Sequence, residues 1–342
     1  MFYIYKIIKN ILNINKNNKY KNIGGIHIMT EQNSELRAGI NKVDLTGVVK
    51  EHKLKEEKNK DGVHINGSLI IKTGEFSEIE LNVYVNEKTS KGNDSKVFKT
   101  LKGFLDGEYN TIASCQSEED IPTKVNVYGN GNFTPNFNEN IFKPQNSPEV
   151  VTRIRINLGF GTIAIDNTIK EEDFKATFDV EMCVSSVTEE TDAEQVPTGR
   201  VVIDGYVPLF NGSVFPIQLV AGKIKDDDGS DIDFGQDLLD GVEEGQTVDF
   251  WGDINYEVKI TTVKKGGTLG RAKVEEQREY VNELVTTGAE IEEDENNMFD
   301  PELIKKALAE RENKIEEIKN AESKPKNKGL NNGNKKRNRP NF

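Results

Sequence analysis

VDLTGVVK (residues 43–50), HINGSLII (64–71) and EIELNVYV (78–85) decide the fold, because each segment alternates apolar and polar residues with a period of two. Such alternation is typical of strands that bury one side and expose the other. Polar turns that contain glycine connect the three segments. Together they predict an antiparallel three-stranded meander.

A helix and further strands follow the meander. Apolar residues recur at helical spacing from 97 to 105, which predicts one buried stripe on a helix. Alternation predicts more strands around 125–128, 153–165 and 174–184. Three strands, a helix and then further strands is the order of the OB-fold, a small Greek-key barrel. We therefore predict a first OB-fold domain at 41–185.

The second half of the chain repeats this pattern. Strands are predicted at 200–207, 213–220, 247–251, 256–263 and 278–284, with a short helix or turn at 238–239. Asn211-Gly212 is a hairpin-turn signal between the first two. The order predicts a second OB-fold domain at 200–287, so the halves are interpreted as a diverged repeat. The acidic segment 186–199 is predicted to be the linker between the two domains. The predicted fold class is mainly β, with two OB-fold-like Greek-key barrels followed by a C-terminal helix and a disordered basic tail.

The two ends of the chain differ from its body in charge. Residues 1–28 carry five lysines and no acid, and residues 324–342 carry seven basic residues and no acid. Removing these twelve positive charges from the net charge of −13 leaves −25 on 29–323. An acidic body is not what a general duplex-DNA binder presents to phosphates. Any nucleic-acid site must therefore be a local groove of cations and aromatic rings.

The N-terminal segment 1–28 is predicted to be a non-native or disordered extension, with translation from Met29; a signal-like segment is the alternative. Residues 288–323 are predicted to be an acidic linker and a helix that begins at Asp300-Pro301. Its sparse apolar stripe suggests a solvated arm or a partner-docking helix. The tail at 324–342 is predicted to be disordered.

The sequence lacks the residues that several classes of function require. The chain has three histidines and two distant cysteines, Cys115 and Cys183, without the spacing of a zinc site or a disulfide framework. An acidic loop at 226–231 lacks the glutamate and the helices of a calcium loop. No nucleophile or phosphate-loop motif occurs. We expect no enzyme activity, no metal and no cofactor, and without a membrane-length apolar run we expect no membrane partner and a cytoplasmic location.

Single-strand binding needs aromatic faces that stack on bases and cations that follow phosphates. The candidates in the first domain are Lys50, Lys53, Lys55, Lys72, Tyr84, Tyr128, Phe133, Phe137, Phe142, Arg153 and Arg155. Those in the second domain are Arg200, Tyr206, Phe210, Trp251, Tyr256 and Lys259. Arg153 and Arg155 are two apart on a predicted strand and share one face, although they could simply offset nearby acids. The aromatic residues equally fit core or barrel-rim positions, and of Phe250 and Trp251, which face opposite ways, one must be exposed or covered.

The segments VDLTGVVKEHKLKEEKNKDGVHINGSLIIKT (43–73), SEIELNVYVNEKTSKG (77–92) and SKVFKTLKGFL (95–105) resemble single-stranded DNA-binding proteins from phages of low-GC Gram-positive bacteria. GYVPLFNGSVFPIQLV (205–220) and VDFWGDINYEV (248–258) are similar to the second OB unit of that group. The resemblance implies sequence-nonspecific binding of single-stranded DNA in replication or recombination, without an obligatory metal or nucleotide.

Two further expectations concern partners and an alternative function. Bacterial single-strand binders commonly recruit replication proteins through an acidic end, whereas this chain has its acidic run near 290–295 and a basic end. Replication or recombination proteins would then dock on the acidic linker and helix or on the basic tail. The alternative function is a structural β-barrel protein, such as a virion or assembly scaffold, which the acidity of the body favours.

Overall fold

The computed structural model describes residues 36–321, apart from 61, 130–133, 146, 227 and 266–272. In 258–265 and 273–280 it describes the strands but not their side chains. The predicted N-terminal extension at 1–28 and the predicted basic tail at 324–342 lie outside the described residues.

The described part of the chain is mainly β. Its first half contains strands β1 (Asn41–His52), β2 (Lys55–Asn59), β3 (Gly62–Lys72), β4 (Glu78–Asn86), β5 (Lys124–Tyr128), β6 (Asn136–Phe142), β7 (Val151–Asn157) and β8 (Thr162–Ile165), with helix α1 (Lys96–Leu105) between β4 and β5. Its second half contains β9 (Lys175–Thr191), β10 (Pro197–Pro208), β11 (Val214–Ala221), β12 (Ile224–Lys225), β13 (Asp231–Ile232), α2 (Phe234–Gly241), β14 (Thr247–Lys265), β15 (Lys273–Ile291) and α3 (Pro301–Asn320).

The strand pairings of the first half close into a ring, which we call barrel 1. β1 pairs with β3, β3 pairs with β4, and β4 runs parallel to β7. A turn at 158–161 leads from β7 into β8, which pairs with β5, and β5 pairs back with β1. With β7 and β8 counted as one bent strand, this is the five-stranded arrangement of the OB-fold.

The second half closes in the same way into barrel 2. β9 pairs with β10, β10 with β11, and β11 runs parallel to β15. β15 pairs with β14, and β14 pairs back with β9. Helix α2 lies between the third and fourth strands of this ring, as α1 does in barrel 1. The prediction of a mainly β fold with OB-like barrels and a C-terminal helix is confirmed.

The predicted linker at 186–199 is wrong as a description of local structure. β9 continues to Thr191, β10 begins at Pro197, and these two residues pair with each other. Val187 is partly buried against the core and pairs with Ile203. The acidic composition of this segment therefore conceals a β-hairpin. The domain boundaries themselves stay a prediction, because one continuous thirteen-stranded sheet passes through both barrels.

Two helices follow their sequence signals. Helix α1 begins after Ser95, whose side chain accepts a hydrogen bond from the Phe98 amide at 3.2 Å, and it buries Leu101 and Phe104 in the core. Helix α3 begins at Pro301 after Asp300, whose carboxylate caps the Glu302 amide at 2.9 Å. These caps satisfy amides that have no partner inside the helix. Within the described residues, each helix is too short or too polar to cross a membrane.

Helix α3 is not the solvated arm that its sparse apolar stripe suggested. Ile304 and Ala307 are buried together with Phe299, and Leu308 packs against them. These four residues lie on one side of α3 and of the segment just before it. A narrow apolar stripe is therefore sufficient to pack the helix against the sheet. The side of α3 that faces solvent remains charged.

Candidate nucleic-acid interface

The outer side of β3 and β4 is an exposed surface on barrel 1. Tyr84 pairs opposite Asn66, and Lys55 of β2 pairs opposite Asn66 on its other side. Side chains of paired residues point to the same face of a sheet. Lys55, Asn66 and Tyr84 therefore form one row. We call this surface, together with Arg153 and Arg155 of β7, the open face.

Tyr84 is the aromatic platform of the open face. This residue is 57% exposed, and its ring lies against the buried His64 ring, with centroids 4.8 Å apart and planes 34° apart. The Asn59 amide donates a hydrogen bond to the Tyr84 hydroxyl at 3.4 Å. Contact on one side and exposure on the other leave an aromatic surface on which a base can stack.

Arg153 and Arg155 lie at the other end of the open face. Ile156 of the same strand is buried, while Arg153 is exposed and Arg155 is half-buried. The Arg153 guanidinium carbon lies 5.7 Å from the centre of the half-buried Phe142 ring. Within the described part of the chain, neither arginine forms an ion pair with a carboxylate. Both remain able to contact phosphate.

Asparagines fill much of the space between these residues, and sequence analysis missed them. They occupy the outward positions of four strands: Asn66, Asn82, Asn136, Asn138, Asn140 and Asn157. An amide side chain donates and accepts hydrogen bonds without adding charge, so the positions that these asparagines occupy are polar and uncharged. Glu57, Glu78 and Glu80 point to the same side. Glu80 accepts a hydrogen bond from the Ser68 hydroxyl at 2.8 Å. Asn136, Asn138 and Asn140 are spaced by two residues, but this spacing indicates a shared face only once β6 is known to be a strand.

The candidate lysines of barrel 1 differ in exposure and in whether a carboxylate neutralises their charge. Lys53 and Lys55 are exposed and Lys72 is half-buried, and none of the three forms an ion pair in the described part of the chain. Lys50 donates to both carboxylate oxygens of Glu78, at 2.5 and 2.7 Å. The charge of Lys50 is therefore already neutralised, which makes it the weakest candidate of the four.

Phe137 is a core residue, and its assignment to the nucleic-acid site is wrong. The connector at 129–150, interpreted from sequence as a long loop, contains β6, and the inward side of β6 carries Phe137. This ring has no exposed surface and meets Phe178 edge to face, with centroids 6.4 Å apart. Tyr128 is exposed on β5, which pairs with β1 and β8, so it does not belong to the open face. Phe133 lies outside the described residues.

One end of the corresponding outer face of barrel 2 is covered. Cys183 and Val214 point outward from β9 and β11 and are buried under Phe299, Ile304 and Ala307. Tyr206 of β10, predicted as a ligand contact, is half-buried against this cluster. The Arg37 guanidinium lies 4.2 Å from the centre of the Phe299 ring and donates to Glu181 at 2.8 Å. Tyr206 is therefore a packing residue in this structure.

A cavity of about 570 Å³ adjoins the covered face. Tyr206, Tyr256 and Ile154 contribute to its walls, and Asp204 accepts a hydrogen bond from the Gln218 amide at 2.9 Å. Burial raises the pKa of the Tyr256 hydroxyl. Its described lining includes a carboxylate but no cation, so the cavity does not suit phosphate.

The remaining candidates of barrel 2 are dispersed. Arg200 is paired with Glu283 at 3.0 Å and with Glu190 at 3.4 Å, which neutralises its charge. Phe210 is 92% exposed at the turn between β10 and β11. Trp251 is 42% exposed, whereas Phe250 beside it is buried, so the prediction that these two rings face opposite ways is confirmed. The side chain of Lys259 lies outside the described residues.

One unusual carboxyl lies on the sheet that joins the barrels. Burial, followed by the neighbouring Asp179, raises the pKa of Asp249 to about 7. Lys42 donates to Asp179 at 2.9 Å and partly offsets this local negative charge. The described residues contain no group of three or more histidine, cysteine or acidic side chains arranged to hold a metal ion.

Comparison with known proteins gives a family. A family model described as YorF matches residues 40–321, well over half of the chain. The chain belongs to the YorF family. No curated protein sequence matches this YorF-family chain.

Among solved structures, the chain is similar to the single-stranded DNA-binding protein of Thermus aquaticus, with a TM-score of 0.38 and 7% identity over 75% of this chain and 94% of that one. It is also similar to a replication protein A heterotrimer bound to single-stranded DNA, with a TM-score of 0.17 and 12% identity over 87% of this chain and 56% of that one.

Proposed function

We propose that this chain binds single-stranded DNA without sequence preference through the open face of barrel 1. The observation that carries the proposal is the placement of Tyr84. Its ring is backed by His64, open to solvent, and in one row with the exposed cation of Lys55. Stacking on a ring and a nearby cation are the two contacts that a single strand requires.

The chemistry of the open face favours tolerance of sequence. Every base has a π-face that can stack on Tyr84. The asparagine amides and the guanidinium groups of Arg153 and Arg155 can contact phosphate oxygens, which position a strand but carry no sequence information. The cations of the open face are few, so the affinity should fall with salt by the small slope that a few phosphate contacts give.

The biological setting is the finer part of the proposal. We place the protein in DNA replication or recombination of a phage-type system, in the cytoplasm of a bacterial host, as the sequence resemblance implies. Replication or recombination proteins would dock on the solvent-facing side of α3, on the acidic segment before it, or on the basic tail.

Fluorescence anisotropy with labelled single-stranded and duplex oligonucleotides tests the proposal. We expect the wild-type chain to bind the single strand selectively, with affinity that falls as salt rises. Tyr84→Ala should weaken binding, whereas Tyr128→Ala removes a tyrosine outside the open face and should not. Equal losses in the two variants would contradict the assignment of the open face.

A structural or scaffold role is the second candidate, and the charge of −25 on residues 29–323 favours it. A β-barrel scaffold needs no affinity for phosphate. Absence of binding to both oligonucleotides at low salt would support the scaffold role and reject single-strand binding.

A further inference from the structure

The β6–β7 hairpin has two different sides. Asn138 pairs with Arg155 and Asn140 pairs with Arg153, so these four side chains share the outer side. Between them Glu139 pairs with Ile154, and these two residues point to the opposite side, toward the body. Glu139, at the back of the hairpin, therefore lies between the positions that pair with Arg155 and Arg153, the two candidate phosphate contacts.

The part of the hairpin that carries the arginines is weakly held by barrel 1. β7 pairs with β4 only through Ile156 and Asn157, at the end of the strand. The segment from Val151 to Arg155 pairs only with β6 in the described part of the chain. A two-stranded ribbon is marginally stable on its own, so another contact must fix its position.

Helix α3 provides one such contact, beside the packing of Ile154 against the core. The Arg311 guanidinium donates to both carboxylate oxygens of Glu139, through Nε at 2.8 Å and Nη2 at 2.6 Å. The side chains of Arg311 and Glu139 are only 13% and 7% exposed. Farther along the helix, Lys143 donates to the Lys319 carbonyl at 2.7 Å. A forked, buried arginine–carboxylate pair fixes both distance and orientation.

We propose that Arg311 is a positioning residue for nucleic-acid binding, which acts through Glu139 to hold Arg153 and Arg155 on the open face. This inference rests on the proposed function. It assigns α3 a role in binding although no residue of the helix belongs to the open face. Removing Arg311 leaves the Glu139 carboxylate buried without its partner, which is unfavourable, so the hairpin would leave its position against α3.

Three variants test the inference in the full chain. Arg311→Leu removes the pair, and Lys306→Leu removes one exposed cation from the outer side of the same helix as a matched control. The double variant Glu139→Leu with Arg311→Leu replaces the buried pair by apolar side chains, which often preserves or improves packing. Anisotropy titrations at several salt concentrations give the affinity and the salt slope, and hydrogen exchange reports the order of β6 and β7.

Arg311→Leu should flatten the slope of log affinity against log salt by about 1.4, because two fewer phosphates of a single strand are then neutralised, and should accelerate exchange in β6 and β7. Lys306→Leu should retain the wild-type slope, and the double variant should regain it. If Arg311→Leu does not fold, the salt slope of the double variant still tests the inference. A wild-type slope in Arg311→Leu, or a flattened slope in a folded double variant, would overturn the inference. Lack of wild-type binding would instead reject the proposed function.

Discussion

Barrels 1 and 2 share one order of strands, but they use the same surface differently. The outer side of β3 and β4 leaves Tyr84 57% exposed. Phe299 and α3 cover one end of the outer side of β10 and β11, where Tyr206 packs against them, while Gln218 on the same side is exposed. The strand order alone therefore does not locate a binding site in this fold. What covers the strands decides which barrel can accept a ligand.

The outward-facing residues explain this difference in physical terms. In barrel 1 they include polar residues such as Asn66 and Asn82, which remain hydrated at little cost. In barrel 2 they include Cys183 and Val214, whose burial under Ile304 and Ala307 is favourable. The hydrophobic effect therefore closes the face of barrel 2 with the C-terminal part of its own chain. Substitutions on the two faces and on the sheet between them test this contrast.

Phe299→Ala should destabilise the protein by about 3–5 kcal/mol, because it removes a buried ring and leaves a cavity under Arg37. Chemical denaturation measures this loss. The exposed neighbour Met298 provides the control, since Met298→Ala should change stability by less than about 0.5 kcal/mol. Similar stabilities for the two variants would mean that barrel 2 is not closed by packing.

Tyr84→Ala and Tyr206→Ala should have opposite consequences. Tyr84→Ala should reduce single-strand affinity by about 1–3 kcal/mol, the usual contribution of one stacked base, with little change in stability. Tyr206→Ala should reduce stability by about 0.5–3 kcal/mol and leave affinity unchanged. Titration and denaturation of both variants measure the two effects. Loss of affinity in Tyr206→Ala alone would reverse the assignment of the open and covered faces.

The raised pKa of Asp249, on the sheet between the barrels, should make the stability of the protein depend on pH. Its pKa in the folded protein is about 7, above the value of about 4 in an unfolded chain. The folded state therefore binds the proton more tightly, and stability falls as pH rises from about 4 to about 7 and then levels. Asp249→Asn should remove this dependence and add about 1–2 kcal/mol at pH 8, a value reduced for solvent screening because the group is half-buried. Denaturation at pH 5 and pH 8 measures it, and an unchanged pH dependence in the variant would contradict the prediction.

Lys55→Ala and Lys50→Ala provide the smallest contrast. Lys55 is exposed without an ion pair in the described part of the chain, whereas Lys50 is neutralised by Glu78. Losing Lys55 should flatten the salt slope by about 0.7, the value for one phosphate contact with a single strand. Losing Lys50 should change it less. An equal change in both would show that the ion pair opens when the strand binds.

The regular part of the fold could be predicted from the sequence, because period-two segments such as β3 and β4 depend on local pattern alone. The strand β6 could not, since its asparagines disfavour strands and only pairing with β7 offsets this preference. Whether Phe137 points inward depends on its position within that strand, because a shift of one residue moves a side chain to the other face.

The candidate site was predictable in part. Tyr84, Arg153 and Arg155 follow from alternation within single strands. Tyr206 is packed against a cluster that contains Cys183 and Ile304, which are distant from each other in the sequence. No local sequence pattern indicates such a contact. For the same reason the sequence does not predict the pairing of Arg311 with Glu139.

Hydrogen exchange of the full chain, with and without a saturating single-stranded oligonucleotide, is the most direct test of binding on the open face. We expect slower exchange in β3, β4 and β7 of the bound protein, with β10 and β11 unchanged because Phe299 and α3 occupy the part of their outer side where Tyr206 lies. Protection concentrated in β10 and β11, with β3 and β4 unaffected by a bound strand, would contradict the assignment of the site to barrel 1.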